Sequence, residues 1–223
     1  MAYSGQILEN PVSGERFLFH LTSGDSGGDV LAFELEVTPD GHVPGAHAHP
    51  TQEERFEVVS GAMKFRKGFR TVVAGPGDTV LVPPGTAHRF ANAGPEPVVV
   101  RVEVRPALNM EQLYETAVAL AREGRTFRSG LPRPLDLALF MREFGAEVEA
   151  PFAPGLVQAV MSPLAWLGAR RGLDERYARL RAERGARAPM PTRPGEGRTA
   201  GARPGPTRPA RPGARGPRTR TRP

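Results

Sequence analysis

Two short blocks of histidine, glycine and proline, both in the first half of the chain, constrain the fold of this sequence more than any other feature. The first block consists of Gly41, His47, His49, Glu54 and Gly61. The second block begins after a gap of fifteen residues and consists of Gly77, Pro83, Gly85, His88 and Asn92. Glycine tolerates positive φ and proline presets turn geometry, so both blocks predict short extended segments joined by tight turns.

The residue types in these blocks predict a metal site. Alternate side chains of a strand face the same way, so His47 and His49 are expected to point together from one short strand. Glu54 adds a carboxylate, and His88 completes the set from a distant strand. Imidazole and carboxylate hold divalent transition metals without thiolate, and the chain has no cysteine. Iron, manganese, nickel, zinc and copper all remain candidates.

Both blocks match the two motifs of the cupins at every defined position. Those motifs read G-x5-H-x-H-x3–4-E-x6-G and G-x5-P-x-G-x2-H-x3-N. The chain therefore resembles a cupin over roughly its first half, which implies a mainly β fold with a jelly-roll β-barrel. The resemblance implies that the ligands of one divalent metal ion are His47, His49, Glu54 and His88. Glu53 competes with Glu54, but only Glu54 keeps the six-residue run to Gly61, and Glu53 should face the other way.

Alternating apolar residues predict strands on either side of the motifs. One apolar face consists of Leu31, Phe33, Leu35 and Val37, another of Phe17, Phe19 and Leu21, and a last one of Val98, Val100, Val102 and Val104. The cupin resemblance implies a ligand pocket inside the barrel, and its candidate lining residues are Phe56, Phe90, Met63 and Phe65. The alternative is that these four side chains only fill the core of a small barrel.

Composition divides the 223 residues into three parts. Residues 1–107 are the predicted barrel with the metal site, and residues 108–185 a predicted helical extension. Residues 186–223 hold ten arginines and one glutamate among Pro, Gly, Ala and Thr, which predicts a disordered tail. This tail carries a net charge of +9, so the rest of the chain carries a net charge of −3.

The extension has four stretches of helical periodicity. They run from Asn109 to Gly124, from Pro134 to Gly145, from Leu156 to Leu167 with an interruption at Pro163, and from Leu173 to Arg184. Three roles are open: packing on the barrel or in a dimer contact, lying on an anionic membrane surface beside Arg170 and Arg171, or closing the barrel mouth as a lid.

A metal site of this kind favours an enzyme, and the cupin resemblance favours a metal-dependent oxygenase acting on a small, partly apolar or enolic substrate. The alternatives are a metal-dependent isomerase or lyase, and a non-catalytic binding or sensing module. An isomerase needs a proton-transferring residue near the metal, for which the candidates are His20, Glu34, Glu36 and Glu103 if they turn inward.

The expected partner is a small-molecule substrate or ligand. The resemblance also implies a possible homodimer. No specific nucleic-acid partner is predicted, and the basic tail and extension predict at most weak binding to membrane surfaces or polyanions. Without cysteine, signal peptide or long apolar run, the chain is expected to be cytoplasmic.

Overall fold

The computed structural model describes residues 2–187. Within that range the chain forms nine strands followed by four helices. The strands are β1 (Ile7–Asn10), β2 (Glu15–Leu21), β3 (Leu31–Val37), β4 (Glu53–Ser60), β5 (Met63–Lys67), β6 (Arg70–Ala74), β7 (Thr79–Val82), β8 (His88–Asn92) and β9 (Val98–Arg105). The mainly β fold class with a helical C-terminal extension is therefore confirmed.

The strands form two sheets in which every pairing is antiparallel. The larger sheet has the order β1-β2-β3-β9-β4-β7, and the smaller has the order β6-β5-β8. The order shows that β9, the last strand, inserts between β3 and β4 in the middle of the large sheet. The strands that carry Glu54 and His88 consequently belong to different sheets.

The core follows the alternation read from the sequence. Every second residue of β3 and β9 is buried, and Phe33 pairs in register with Val102. In β2 the buried positions are Glu15, Phe17 and Phe19, so a carboxylate lies on the apolar face of this strand. The sequence prediction of the apolar faces is confirmed except at Leu21, which is only half-buried after a register shift in β2, and Glu15 is the addition that it lacked.

The motif glycine Gly61 shows why the first block needs this residue type. Its φ is +76°, and a Cβ there would lie 2.8 Å from the Cα of Val98 and 2.9 Å from the carbonyl oxygen of Pro97. Any side chain would push the turn after β4 away from the start of β9. The glycine thus allows β4 and β9 to pair closely, which places Glu54 in its sheet.

The extension contains α1 (Met110–Arg122), α2 (Pro134–Glu143), α3 (Pro154–Arg170) and α4 (Glu175–Arg187). The predicted interruption at Pro163 is wrong, because α3 continues through it as one helix of 17 residues. Proline removes only its own N–H bond, and the carbonyl that loses this bond belongs to Ala159, which is exposed to water. The fourth helix starts later and ends later than predicted.

The outer face of α3 carries exposed apolar side chains, including Leu156, Val160 and Trp166, and the guanidinium of Arg170 lies over the Trp166 ring. No helix among residues 2–187 is long and apolar enough to cross a membrane. The predicted disordered tail lies, from residue 188 onward, outside the described residues. The membrane-surface and homodimer contacts stay predictions.

Candidate metal centre

Backbone pairing brings the two sequence motifs together. His47 donates its N–H to the carbonyl of His88 at 3.0 Å, and His88 returns the bond to His47 at 2.8 Å. Gly85 of the second block also donates to the carbonyl of His49 at 2.8 Å. Contrary to the prediction of a short strand, this segment forms only two isolated bridges, between His47 and His88 and between Ala48 and Glu149.

The four predicted ligands converge. One ligand atom from each of His47, His49, Glu54 and His88 lies within 4.8 Å of the other three. Glu54 Oε2 is 3.0 Å from His88 Nε2 and 3.3 Å from His49 Nε2. Atoms bound to one ion at about 2.1 Å are separated by up to roughly 4 Å, so the four donors are close to the spacing of a shared ion. Glu53 alternates with buried Glu54 on β4 and faces away.

Each of the three imidazoles is held by a backbone carbonyl at Nδ1. The acceptors are Gly45 for His47 at 3.0 Å, Glu147 for His49 at 2.6 Å, and Thr86 for His88 at 3.0 Å. A carbonyl oxygen can only accept, so each ring carries a proton on Nδ1, which leaves Nε2 as the nitrogen that can bind a metal ion. This is the tautomer that a metal ligand requires.

The centre is under-satisfied without a cation. His49 Nε2 is buried and makes no hydrogen bond, although Glu54 Oε2 lies 3.3 Å away, and in the neutral ring with its proton on Nδ1 this nitrogen has none to donate. His88 Nε2 faces the same oxygen at 3.0 Å. Two lone pairs at this distance repel unless a proton or a metal ion lies between them. The residues present therefore fit a divalent metal ion.

Electrostatics keep His47 and Glu54 in the protonation states that metal binding needs. Burial, with the neighbouring His88 and His49, lowers the pKa of His47 to about 3, so this imidazole is neutral. Burial acts to raise the pKa of Glu54, but the attraction of its carboxylate to the His49 and His88 imidazoles outweighs burial and holds that pKa well below its usual range. Burial acts to lower the pKa of His49, but hydrogen bonding and charge from Glu54 raise it overall, so a metal ion must displace a proton from this ring.

Comparison with known proteins agrees with this geometry. The family model described as "Cupin domain" matches residues 33–104, which include all four ligands and the strands that carry them. Residues 33–104 therefore form a cupin domain. No curated protein is similar enough in sequence to count as a relative of this cupin.

Three solved structures illustrate the similarity of this chain to other proteins. KdgF from Halomonas sp. has 17% identity and a TM-score of 0.41, covering 47% of this chain and 89% of its own. A predicted oxalate decarboxylase from Thermotoga maritima has 17% identity and a TM-score of 0.41, covering 48% and 98%. A sugar phosphate isomerase from Silicibacter pomeroyi has 24% identity and a TM-score of 0.37, covering 42% and 60%.

The metal centre of this cupin opens into a cavity of about 320 Å³. Its barrel wall includes Phe17, Phe33, Leu35, Phe56 and Phe90 beside His47, His49 and Glu54. Its opposite wall comes from the extension: Met110, Leu113, Tyr114, Ala117, Leu137, Phe140, Met141, Val157 and Met161. Among the roles open for the extension, this arrangement fits both packing on the barrel and covering the barrel mouth.

The predicted pocket residues lie in two places. Phe56 and Phe90 line the cavity, whereas Met63 and Phe65 do not. Both of the latter are buried on β5 in the small sheet, where the Phe65 ring packs against Phe56 at 5.0 Å and Phe90 at 6.3 Å between centroids. They support the two lining phenylalanines from behind, as the core-filling alternative describes.

The candidates for proton transfer do not reach the centre. His20 is exposed, and Glu34, Glu36 and Glu103 alternate with buried residues on β3 and β9, so they face outward. His42 is no fifth ligand, since its ring nitrogens approach the carbonyls of Asp40 and Ser129.

Sequence reasoning missed two polar residues that line the cavity, Glu15 and Tyr114. The Tyr114 ring stacks on Phe17 with centroids 4.7 Å apart. Burial, and then the charges of Glu54 and Glu15, raise the pKa of Tyr114 well above its usual value, so its hydroxyl keeps its proton. Glu15 had a signal in the sequence, because it shares the parity of Phe17 and Phe19. Tyr114 had none, since its helix could not be placed against the barrel.

Proposed function

We propose that this cupin is a metal-dependent enzyme, and specifically an oxygenase, acting on a small, largely apolar substrate that presents an anionic oxygen to the metal. The observation that carries the proposal is the convergence of three Nδ1-protonated imidazoles and one carboxylate at the wall of an apolar cavity. A buried structural carboxylate–histidine cluster would have no need of an adjoining cavity lined by aromatic rings.

The donor set determines what the centre can bind. A divalent ion held by three neutral imidazoles and one carboxylate keeps a net charge of about +1 and, when six-coordinate, two positions for an anionic oxygen and, with a redox metal, dioxygen. The backbone carbonyls of Gly45, Glu147 and Thr86 hold the rings in place for this task. Iron, manganese, nickel, zinc and copper remain candidates, because ligand type does not select among them.

The remaining residues of the cavity would bind and shield the substrate. Phe17, Phe33, Phe56 and Phe90 offer an apolar surface with aromatic faces, and the helices of the extension cover it from the other side. Exclusion of water strengthens every electrostatic contact that the substrate makes at the centre.

A second candidate function, metal-dependent isomerisation or lyase chemistry, is favoured by the carboxyl group of Glu15, which lines the same cavity. Such chemistry needs a proton acceptor near the substrate, and Glu15 is a residue that could supply one. A non-catalytic binding module is the reading that remains if the metal-loaded protein turns over no substrate.

The first test is the metal content of the protein, purified without a histidine tag, by elemental mass spectrometry. We expect near-stoichiometric transition metal in the wild type. In His88→Ala the affinity should fall by at least about 100-fold, more than outer-shell changes usually cost. The matched control is His42→Ala, a half-buried histidine outside the centre, which should keep its metal. A wild type that binds no metal even after reconstitution would contradict the proposal.

Oxygen consumption then separates the two reaction classes. We expect the iron-, manganese-, nickel- or copper-loaded protein to consume oxygen with an enolic or aromatic substrate and to lose activity without oxygen. Turnover that is equal with and without oxygen would reject the oxygenase and leave the isomerase or lyase reading.

A further inference from the structure

Glu15 is a carboxyl group on the apolar wall of the cavity. It opens β2 on the same face as Phe17 and Phe19, and only 5% of its surface is exposed. It lines the cavity together with Phe17, Leu35 and Asn10, the residue opposite it on β1. A carboxyl group in such surroundings is costly for the fold, so its presence calls for a role.

The known contacts of Glu15 leave acceptor capacity unused. Its Oε2 accepts a hydrogen bond from the buried Ser13 hydroxyl at 2.6 Å. Among residues 2–187 no lysine, arginine or histidine lies within ion-pair distance of it. Whether ionised or protonated, a carboxyl group has more than one acceptor position, of which Ser13 occupies one, so a ligand in the cavity can use another.

His88 and the turn before Glu15 lie beside opposite ends of β8. His88 stands at the first position of β8 and Phe90, which lines the cavity, at its third. The other end of β8 lies beside the turn before Glu15. The backbone N–H of Asn92, at the end of β8, donates to the carbonyl of Gly41, and the backbone N–H of His42, which follows Gly41, donates to the carbonyl of Ser13. A molecule that reaches the histidines can therefore extend along Phe90 toward Glu15.

We propose that Glu15 is a specificity residue that recognises a proton-donating group, such as a phenolic or enolic hydroxyl, at the end of the bound molecule distant from the histidines. The substrate class is then a small apolar or aromatic molecule with an oxygen at each end, one for the metal and one for Glu15. The inference rests on the proposed function only in taking the occupant of the cavity to be the substrate.

The test compares two probes of equal size, phenol and toluene, of which only phenol donates a hydrogen bond. Binding to the full chain is followed by NMR of methyl-labelled methionines, since Met110 and Met161 line the cavity and report that the probe is there. In the wild type, we expect phenol to bind at least about tenfold more tightly than toluene, because the phenol hydroxyl donates a hydrogen bond to the carboxyl group of Glu15.

Glu15→Leu should remove this preference, so that phenol binds no better than toluene. Glu34→Leu is the matched control, because it makes the same change on the neighbouring strand with the side chain facing outward. A preference for phenol that is unchanged in Glu15→Leu, or absent from the wild type, would overturn the proposal. If Glu15→Leu folds poorly, the double variant Ser13→Ala, Glu15→Leu replaces both hydrogen-bond partners, a change that is often nearly neutral for stability.

Running both probes on zinc-loaded and on metal-stripped protein separates this inference from the proposed function. A chain that binds no metal but keeps a phenol preference dependent on Glu15 would reject the metal enzyme and support the subsite. A chain that binds metal stoichiometrically but shows no such preference would reject the subsite alone.

Discussion

At the scale of single residues, Glu15 should make the stability of the protein depend on pH. Burial raises the pKa of its carboxyl group from 4.5 to about 7; the hydrogen bond from Ser13 opposes this shift and the charge of Glu54 adds to it. Between about pH 4.5 and about pH 7, the Glu15 carboxyl group therefore holds a proton in the folded state that it has lost in the unfolded state. Stability that is fully present below about pH 4.5 is lost as the pH rises through about 7, a loss of about 3 kcal/mol.

Glu15→Gln, which stays neutral, should lack this loss. Between about pH 5 and about pH 8, the free energy of unfolding of the wild type should fall by about 2–3 kcal/mol more than that of the variant. Urea denaturation of metal-free protein at both pH values measures the free energy of unfolding. Glu34→Gln is the control and should show the same pH dependence as the wild type. Parallel pH dependence in wild type and Glu15→Gln would show that Glu15 is not a buried acid.

Most residues of the candidate metal centre could be predicted from the sequence. The spacing of His47, His49, Glu54 and His88 predicts the four residues that the structure brings together, because ligand spacing in a motif reflects local geometry. Glu15 could have been found by extending the alternation of Phe17 and Phe19 back by two residues. Met63 and Phe65 share the inward parity of the pocket, but parity does not tell a cavity wall from the packed layer behind it.

At the scale of elements, the extension helps to position a metal ligand. Glu147, which follows α2, accepts the Nδ1 proton of His49 with its main-chain carbonyl at 2.6 Å, and Ala48 and Glu149 exchange two backbone hydrogen bonds. The Glu147 carboxylate is itself held by Asn109, through the backbone N–H at 3.1 Å and the side-chain amide at 2.7 Å. The orientation of His49 thus depends on a segment outside the barrel.

Asn109→Ala should therefore weaken metal binding by about tenfold, the lower end of the range for groups that orient ligands. Competition with a chromophoric chelator measures the affinity without any substrate. Thr116→Ala is the control, because it also removes a buried side-chain hydrogen bond on α1, to Gln112, but touches no residue near Glu147. Equal affinities in wild type and Asn109→Ala would mean that His49 is held without this support.

The sequence could not predict this contact. Asn109 fits the pattern of a helix N-cap, yet its side chain makes no capping bond and binds Glu147 instead. The contact to His49 comes from a carbonyl 98 residues away, and a main-chain atom leaves no trace in residue identity. Helix periodicity predicts that α1 and α2 exist and which faces are apolar, but not that these faces close a cavity.

At the scale of the whole molecule, the four candidate ligands come from separate parts of the chain, so a metal ion bound by them would tie these parts together. His47 and His49 come from an extended segment, Glu54 from the large sheet and His88 from the small sheet, while His49 is also bonded to the extension. A ligand that binds only the folded arrangement of these parts stabilises all of them at once. Without a cation, the unpaired Nε2 of His49 and the close approach of His88 to Glu54 oppose folding.

Removal of the metal should therefore lower the melting temperature of the protein as a single transition. At a free metal concentration of about 1,000 times Kd the expected stabilisation is about 4 kcal/mol, which corresponds to roughly 10 °C for a domain of this size. Differential scanning calorimetry of metal-loaded and chelator-treated protein measures the shift. His88→Ala should melt at one temperature in both conditions, and His42→Ala should shift as the wild type does. A metal-loaded wild type that melts no higher than the stripped protein would mean that the four donors do not act together on one ion.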